Sequence, residues 1–141
     1  MGDIKVLSLN NLKRVMGVAP ITVKRVTWHT SEIMIKQMLS IDEYRTVVLD
    51  IIGNCMSENN KVAIELVDFS TRINIISAFA AVELPDNIDE LFRVAYGSDL
   101  YDTVCKFANK AQIESIIKAV DKYVQYIGIE EVEYVELQGN G

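Results

Sequence analysis

Residues 21–43 constrain this chain more tightly than any other stretch. Ile21-Thr22-Val23-Lys24-Arg25-Val26-Thr27-Trp28 and Glu32-Ile33-Met34-Ile35-Lys36 are rich in β-branched and aromatic residues, with Trp28-His29-Thr30-Ser31 reading as a turn between them. With His29-Thr30 as the loop, Val26 faces Ile33 and Lys24 faces Ile35, and Trp28 lies on that same face. Arg25, Thr27, Glu32 and Met34 then share the opposite face. No Asn-Gly or Asp-Gly pair fixes that register. A lone two-stranded ribbon is only marginally stable in water, so helices or further strands must cover it. Directly after it, Ser40-Ile41-Asp42-Glu43 reads as a capping box, with two acids where a helix N-terminus favours negative charge.

Helical spacing continues through Val47, Val48, Ile51, Ile52, Cys55 and Met56. From Val62 to Leu84 the chain is largely apolar. Asp68 or Ser70 is a candidate cap there, with Phe69, Ile73, Ile76 and Ala80 on one face and Ile75 and Phe79 widening it. We expect this helix to be the most buried, with Pro85 closing it. Residues 88–96 carry Ile88, Leu91, Phe92 and Ala95 at helical spacing and stop at Gly97. Residues 99–108 use Ser98 as cap and turn Leu100, Val104 and Phe107 inward. Residues 110–127, capped by Asn109, repeat Ile113, Ile116, Ile117, Val120, Tyr123, Val124 and Ile127 before a stop at Gly128. The expected fold class is α+β, mostly α: an N-terminal β-hairpin followed by a bundle of about five helices. The expected core centres on Phe69–Ala80 and Ile113–Ile127, with the hairpin as an appendage to it.

The domain reading is an N-terminal arm (1–20), one globular domain (21–128) and an acidic C-terminal tail (129–141). In the arm, Ile4, Val6 and Leu7 suggest a strand. Ser8 or Asn10 followed by Leu12, Val15, Met16 and Gly17 suggests a short helix with a glycine stop. The tail places Glu130, Glu131, Glu133 and Glu136 between Ile129, Val132 and Val135, a pattern open to a strand edge or a helical turn. A chain of 141 residues is long enough to bury one sizeable core. Its longest apolar runs fall far short of the roughly 18 residues that cross a bilayer, and its N-terminus lacks the features of a signal peptide. A cytoplasmic protein without membrane contact is the expectation.

Charge is unevenly distributed. Residues 1–37 hold six basic groups against two acidic ones, while the remainder holds eight against 18, for a net −6. An acidic body opposes direct nucleic-acid binding, because phosphates would meet like charge. Cys55 and Cys105 fall in helical patterns and read as free thiols acting as small apolar side chains. His29 is the only histidine, neither cysteine has a partner at metal-ligand spacing, and no phosphate loop or nucleophile elbow occurs. Acid pairs such as Asp42/Glu43 and Asp89/Glu90 sit in first turns of helices, where capping accounts for them. The expectation is no catalytic residue, no metal, no cofactor and no enzyme. Lys24, Arg25, Trp28 and Lys36 form the candidate partner-binding cluster, with Glu130, Glu131, Glu133 and Glu136 as the alternative, an acidic recognition surface.

The order of these features resembles small proteins of tailed bacteriophages and prophages. The residues that carry the resemblance are Ile21 through Trp28, the second strand through Lys36, and the helix opening at Leu39-Ser40. Further along they are Asp68-Phe69-Ser70-Thr71-Arg72, Leu84-Pro85, Ala95-Tyr96-Gly97-Ser98-Asp99 and Asn109-Lys110-Ala111-Gln112, covering roughly residues 20–127. The hairpin-then-helices plan is similar to the phage tail assembly chaperones, which bind the tape-measure protein and help tail-tube subunits polymerise around it. The resemblance implies a non-enzymatic protein in a bacterial host's cytoplasm or in the virion. Its partner would be another phage protein or a second copy, bound through apolar helix grooves and the hairpin. A phage protein of this size and acidity also fits an inhibitor of a host defence nuclease, in the manner of an anti-CRISPR protein, with its acidic surface occupying a basic cleft.

Overall fold

The computed structural model describes residues 5–17 and 23–129. A helix α1 (Leu9–Met16) precedes the strands β1 (Val23–Trp28) and β2 (Ser31–Lys36). Five helices follow: α2 (Ile41–Gly53), α3 (Val67–Phe79), α4 (Ile88–Gly97), α5 (Leu100–Phe107) and α6 (Lys110–Ile127), with one 3-10 turn, Ile64–Leu66, leading into α3. The fold is α+β and mostly α, a two-stranded antiparallel hairpin followed by helices. No helix among the described residues is long and apolar enough to cross a membrane.

Alternation set the register correctly: Val26 pairs with Ile33, Lys24 with Ile35 and Arg25 with Met34. His29 occupies the left-handed region at φ 55°, a position that usually takes glycine in such turns. The inner face buries Val26, Ile33 and Ile35, with Ile35 at 0 % exposure. The outer edge of β2 is occupied too. Met34 O accepts a hydrogen bond from Ala81 N at 2.9 Å, and Ile35 bridges to Ala80, where the chain leaves α3. The ribbon is therefore not an appendage. Its inner face belongs to the same core as α2, α3, α5 and α6.

The capping box closes as the sequence requires. Ser40 Oγ accepts from Glu43 N at 3.1 Å, and Ser40 N donates to Glu43 Oε1 at 3.0 Å. From that start α2 buries Val47, Val48, Ile51 and Ile52. Helix α3 buries Ile75, Ile76 and Phe79 as expected, with Ala80 just after it, but its inward face is rotated away from Phe69 and Ile73. Ser70, Thr71, Ile75, Ile76 and Phe79 are buried, whereas Phe69 and Ile73 are only half-buried. Neither Asp68 nor Ser70 caps it, because the 3-10 turn carries the chain into the helix without a side-chain cap. Ser70 Oγ instead donates to Ile51 O at 2.8 Å, which satisfies its hydroxyl against α2. Ser98 Oγ does double duty between α4 and α5, donating to Val94 O at 2.7 Å and accepting from Leu100 N at 3.3 Å.

Helix α6 is fixed at both ends. Asn109 Oδ1 caps Gln112 N at 2.9 Å, and the Gln112 amide clamps the Leu39 peptide, accepting from its N–H at 2.7 Å and donating to its carbonyl at 3.0 Å. At the far end Gly128 (φ 94°) stops the helix and its carbonyl accepts from Val62 N at 3.0 Å. Ile129 then lies parallel beside Val62, which itself bridges Met56.

If β2 is core, truncating its most buried side chain must act as a core deletion. Ile35→Ala is expected to lower unfolding free energy by about 2–5 kcal/mol in urea titrations followed by far-UV circular dichroism. A loss well under about 1 kcal/mol would place the ribbon outside the cooperative unit.

Candidate protein-docking surfaces

Strand alternation splits the four residues of the basic cluster between two faces. Lys24 and Trp28 lie on the inner side of the ribbon with Val26, and Arg25 and Lys36 lie on the outer side. Each already has a partner within the chain. Trp28 Nε1 donates to Asp99 Oδ1 at 2.8 Å, and His29 Nε2 lies 3.3 Å from the same oxygen. The Trp28 hydrogen bond, ahead of the His29 contacts, holds the Asp99 carboxyl below its ordinary range. Lys24 Nζ sits 5.1 Å above the Phe107 ring, and Arg25 Nε is 3.8 Å from Glu32. Lys36 pairs with Glu43. The contacts of Trp28, Lys24 and Lys36 tie the ribbon to the start of α5, to Phe107 and to α2, while the Arg25–Glu32 pair lies within the ribbon, and the four residues do not share one face of it. The acidic set Glu130, Glu131, Glu133 and Glu136 lies outside the described residues.

Groups capable of acid, base or nucleophilic chemistry are likewise occupied structurally. Cys55 is buried, its thiol lies 3.0 Å from Ile51 O, and burial pushes its pKa up. Cys105 is half-buried, and burial raises it as well. Both thiols are therefore poor nucleophiles near neutral pH. Asp68 accepts from Tyr96 Oη at 2.5 Å and from Arg72 Nε at 3.0 Å, with the tyrosine contact the larger cause of its lowered pKa. The Arg72 guanidinium is stacked 4.8 Å from the Tyr96 ring and 4.8 Å from the Tyr101 ring, which joins α3 to α4 and α5. Among the described residues no group of three or more His, Cys, Asp and Glu is placed to hold a metal ion. A depression of about 400 Å³ between α2 and α3 is lined by Lys36, Asp42, Glu43, Asp50 and Asn74 together with the apolar Val47 and Ala78, among others.

Two apolar surfaces stand apart from this. The first is α1, where Ser8 Oγ caps Asn11 N at 3.2 Å and Gly17 (φ 68°) ends the helix. Every described residue from Lys5 to Gly17 is exposed. Leu9, Leu12, Val15 and Met16 nevertheless share one side of it, with Val15 77 % and Met16 72 % exposed. The second is the outer side of α4. Only Ala95 of that helix is buried, while Ile88 is 65 % and Phe92 53 % exposed. Between α4 and the start of α3 runs a groove of about 300 Å³, lined by Leu66, Phe69, Ile73, Ile88 and Leu91 among others. Phe92 extends it, its ring 5.3 Å from Phe69 and 4.8 Å from Tyr96.

Periodicity places Phe69 and Ile73 on the buried face of α3, and in the structure they line an external groove with Ile88 and Leu91. Helix α3 is apolar around most of its circumference, so spacing groups its residues into faces without saying which face the other helices cover. The available signal was a surplus: α3 and α4 together carry more large apolar residues than one short helix pair can bury on its inner side.

The Lys36–Glu43 pair makes a prediction with a defined sign. Hydrogen bonding from Lys36, followed by the Ser40 backbone, lowers the Glu43 pKa from 4.5 to about 2. Because the folded-state value lies below the unfolded one, its stabilisation is complete above about pH 4.5 and is lost as pH falls towards about 2. Both side chains are about one-third exposed, so solvent screening limits the effect. Glu43→Gln is expected to cost about 1 kcal/mol at pH 7. That difference from the parent should close in acid, as measured by urea titrations from pH 7 to about pH 2.5.

No protein-family model matches the chain, and no curated protein or solved structure matches it either.

Proposed function

We propose that this chain is a non-enzymatic bacteriophage protein that acts by binding other proteins during assembly of the virion tail. One observation carries the reading: two amphipathic helices, α1 and α4, present apolar sides that no part of the described chain covers. Contiguous apolar helix surface of this kind is a recognition surface for a helix or an extended apolar segment. The resemblance of the hairpin-then-helices plan to tail assembly chaperones supplies the context. It names the tape-measure protein and the tail-tube subunit as partners. Binding would centre on buried aliphatic and aromatic side chains, and so would depend little on salt.

A second reading is favoured by a different observation. Asp42, Glu43 and Asp50 line one open depression with a single base, Lys36, paired to Glu43, on a chain of net charge −6, which suits an inhibitor that occupies the basic cleft of a host defence nuclease. The two readings separate on salt dependence and on which residues matter. In co-expression with the tape-measure and tail-tube proteins of the same phage, the parent chain is expected to co-purify with one of them. That capture should persist from about 0.05 M to about 0.5 M NaCl. Leu12→Asp combined with Val15→Asp, or Phe92→Asp alone, should weaken it at least about tenfold. Capture of neither tail protein, together with salt-sensitive binding to a purified basic nuclease that Asp42→Asn and Asp50→Asn abolish, would replace the assembly reading with the inhibitor reading.

A further inference from the structure

We infer that α1 of one copy docks in the groove between α3 and α4 of a second copy. The inference rests on the reading that the chain works by protein binding, and it names one partner, the chain itself. Leu9, Leu12 and Met16 fall at positions i, i+3 and i+7, the anchor spacing of a helix lying in an apolar groove. The groove offers matching chemistry, with Leu66, Phe69, Ile73, Ile88 and Leu91 along its length and Phe92 at its side. Lengths agree as well: α1 has eight residues and α4 has ten, or about 12 and 15 Å at 1.5 Å per residue.

Charge selects the occupant. From Lys5 to Gly17 the chain carries Lys5, Lys13 and Arg14 and no acid. Exposed acids neighbour the lining residues along the chain: Glu65 precedes Leu66, Asp86 lies two residues before Ile88, and Asp89 and Glu90 sit between Ile88 and Leu91, against Arg93 as the basic residue of α4. A basic amphipathic helix therefore meets an acidic rim around an apolar floor. The glutamate-rich sequence after Ile129 is the competing occupant within the chain, and it would bring like charge to that rim. A single eight-residue helix buries little beside the roughly 1,200–2,000 Å² of a stable interface. Reciprocal exchange doubles the contact and closes it as a twofold dimer.

The test is photo-crosslinking between isotopically distinct copies. Benzoylphenylalanine replaces Leu12 in unlabelled full-length chain, which is mixed with the ¹⁵N-labelled parent, irradiated, digested and analysed by mass spectrometry. The expected product joins position 12 of an unlabelled copy to a ¹⁵N-labelled peptide containing residues 66–73 or 88–92. Sedimentation of the parent at about 0.1 mM should show a mass above the 15.9 kDa monomer. Leu12→Asp with Val15→Asp should return it to monomer with an unchanged helical spectrum. Crosslinks confined to the unlabelled copy itself, crosslinks to residues 130–141, or a parent that stays monomeric would each overturn the inference. A monomeric parent whose α1 variant still loses its tail partner defeats self-docking and leaves the assembly reading standing. Confirmed self-docking without capture of any tail protein does the reverse.

Discussion

The fold depends on covering β2. A two-stranded ribbon owns an apolar face and two open edges, and by itself it can satisfy neither. Here β1 pairs one edge of β2, the Ala80–Ala81 segment hydrogen-bonds to the other, and the helices bury Ile33 and Ile35 from one face. The connection after β2 is secured with equal economy. Gln37 O accepts from Asn109 N at 2.8 Å, the Leu39 peptide is clamped by Gln112, and Ser40 opens α2. One short segment thus fixes the starts of both α2 and α6.

That coupling explains which parts of the structure the sequence discloses. Local rules hold wherever local chemistry decides. The alternation of Val26, Ile33 and Ile35 gives the register without a favoured turn pair. Ser40-x-x-Glu43 and Asn109 start helices where expected, and Gly128 ends one. Local rules fail where the outcome depends on what lies opposite. Nothing near Gln112 in sequence indicates that its amide reaches a peptide more than 70 residues away. Lys24, Arg25, Trp28 and Lys36 look like a basic recognition cluster because they are close along the chain. Strand geometry then sends them to opposite faces, and Phe107, Glu32, Asp99 and Glu43 engage them.

The candidate surfaces illustrate the same limit from the other side. Periodicity identified α4 as amphipathic, and it is. What spacing leaves open is whether the apolar side of a helix meets its own core or another molecule. Helix α3 already fills its inward face with Ile75, Ile76 and Phe79, and its Ser70 and Thr71 are satisfied by carbonyls. Phe69 and Ile73 are left to pack sideways towards α4. With Ile88, Leu91 and Phe92 they make a floor that the described residues leave open.

Scattered exposed apolar residues are ordinary on any protein surface. Segregation onto one side of a helix is different, because amphipathicity confers nothing on a helix surrounded by water. An eight-residue helix is also too short to be stable alone, even with the Ser8 cap, Gly17 at its end, and Lys13 and Arg14 favourably placed at its negative pole. In the proposed docking, its helical form and its binding would be thermodynamically linked: covering Leu9, Leu12 and Met16 would supply the free energy that ordering the segment costs. Part of the contact energy is spent on that ordering, so affinity is lower than the apolar area suggests. Such a contact would form and release readily, which would suit the proposed assembly role, in which self-contacts give way to other subunits.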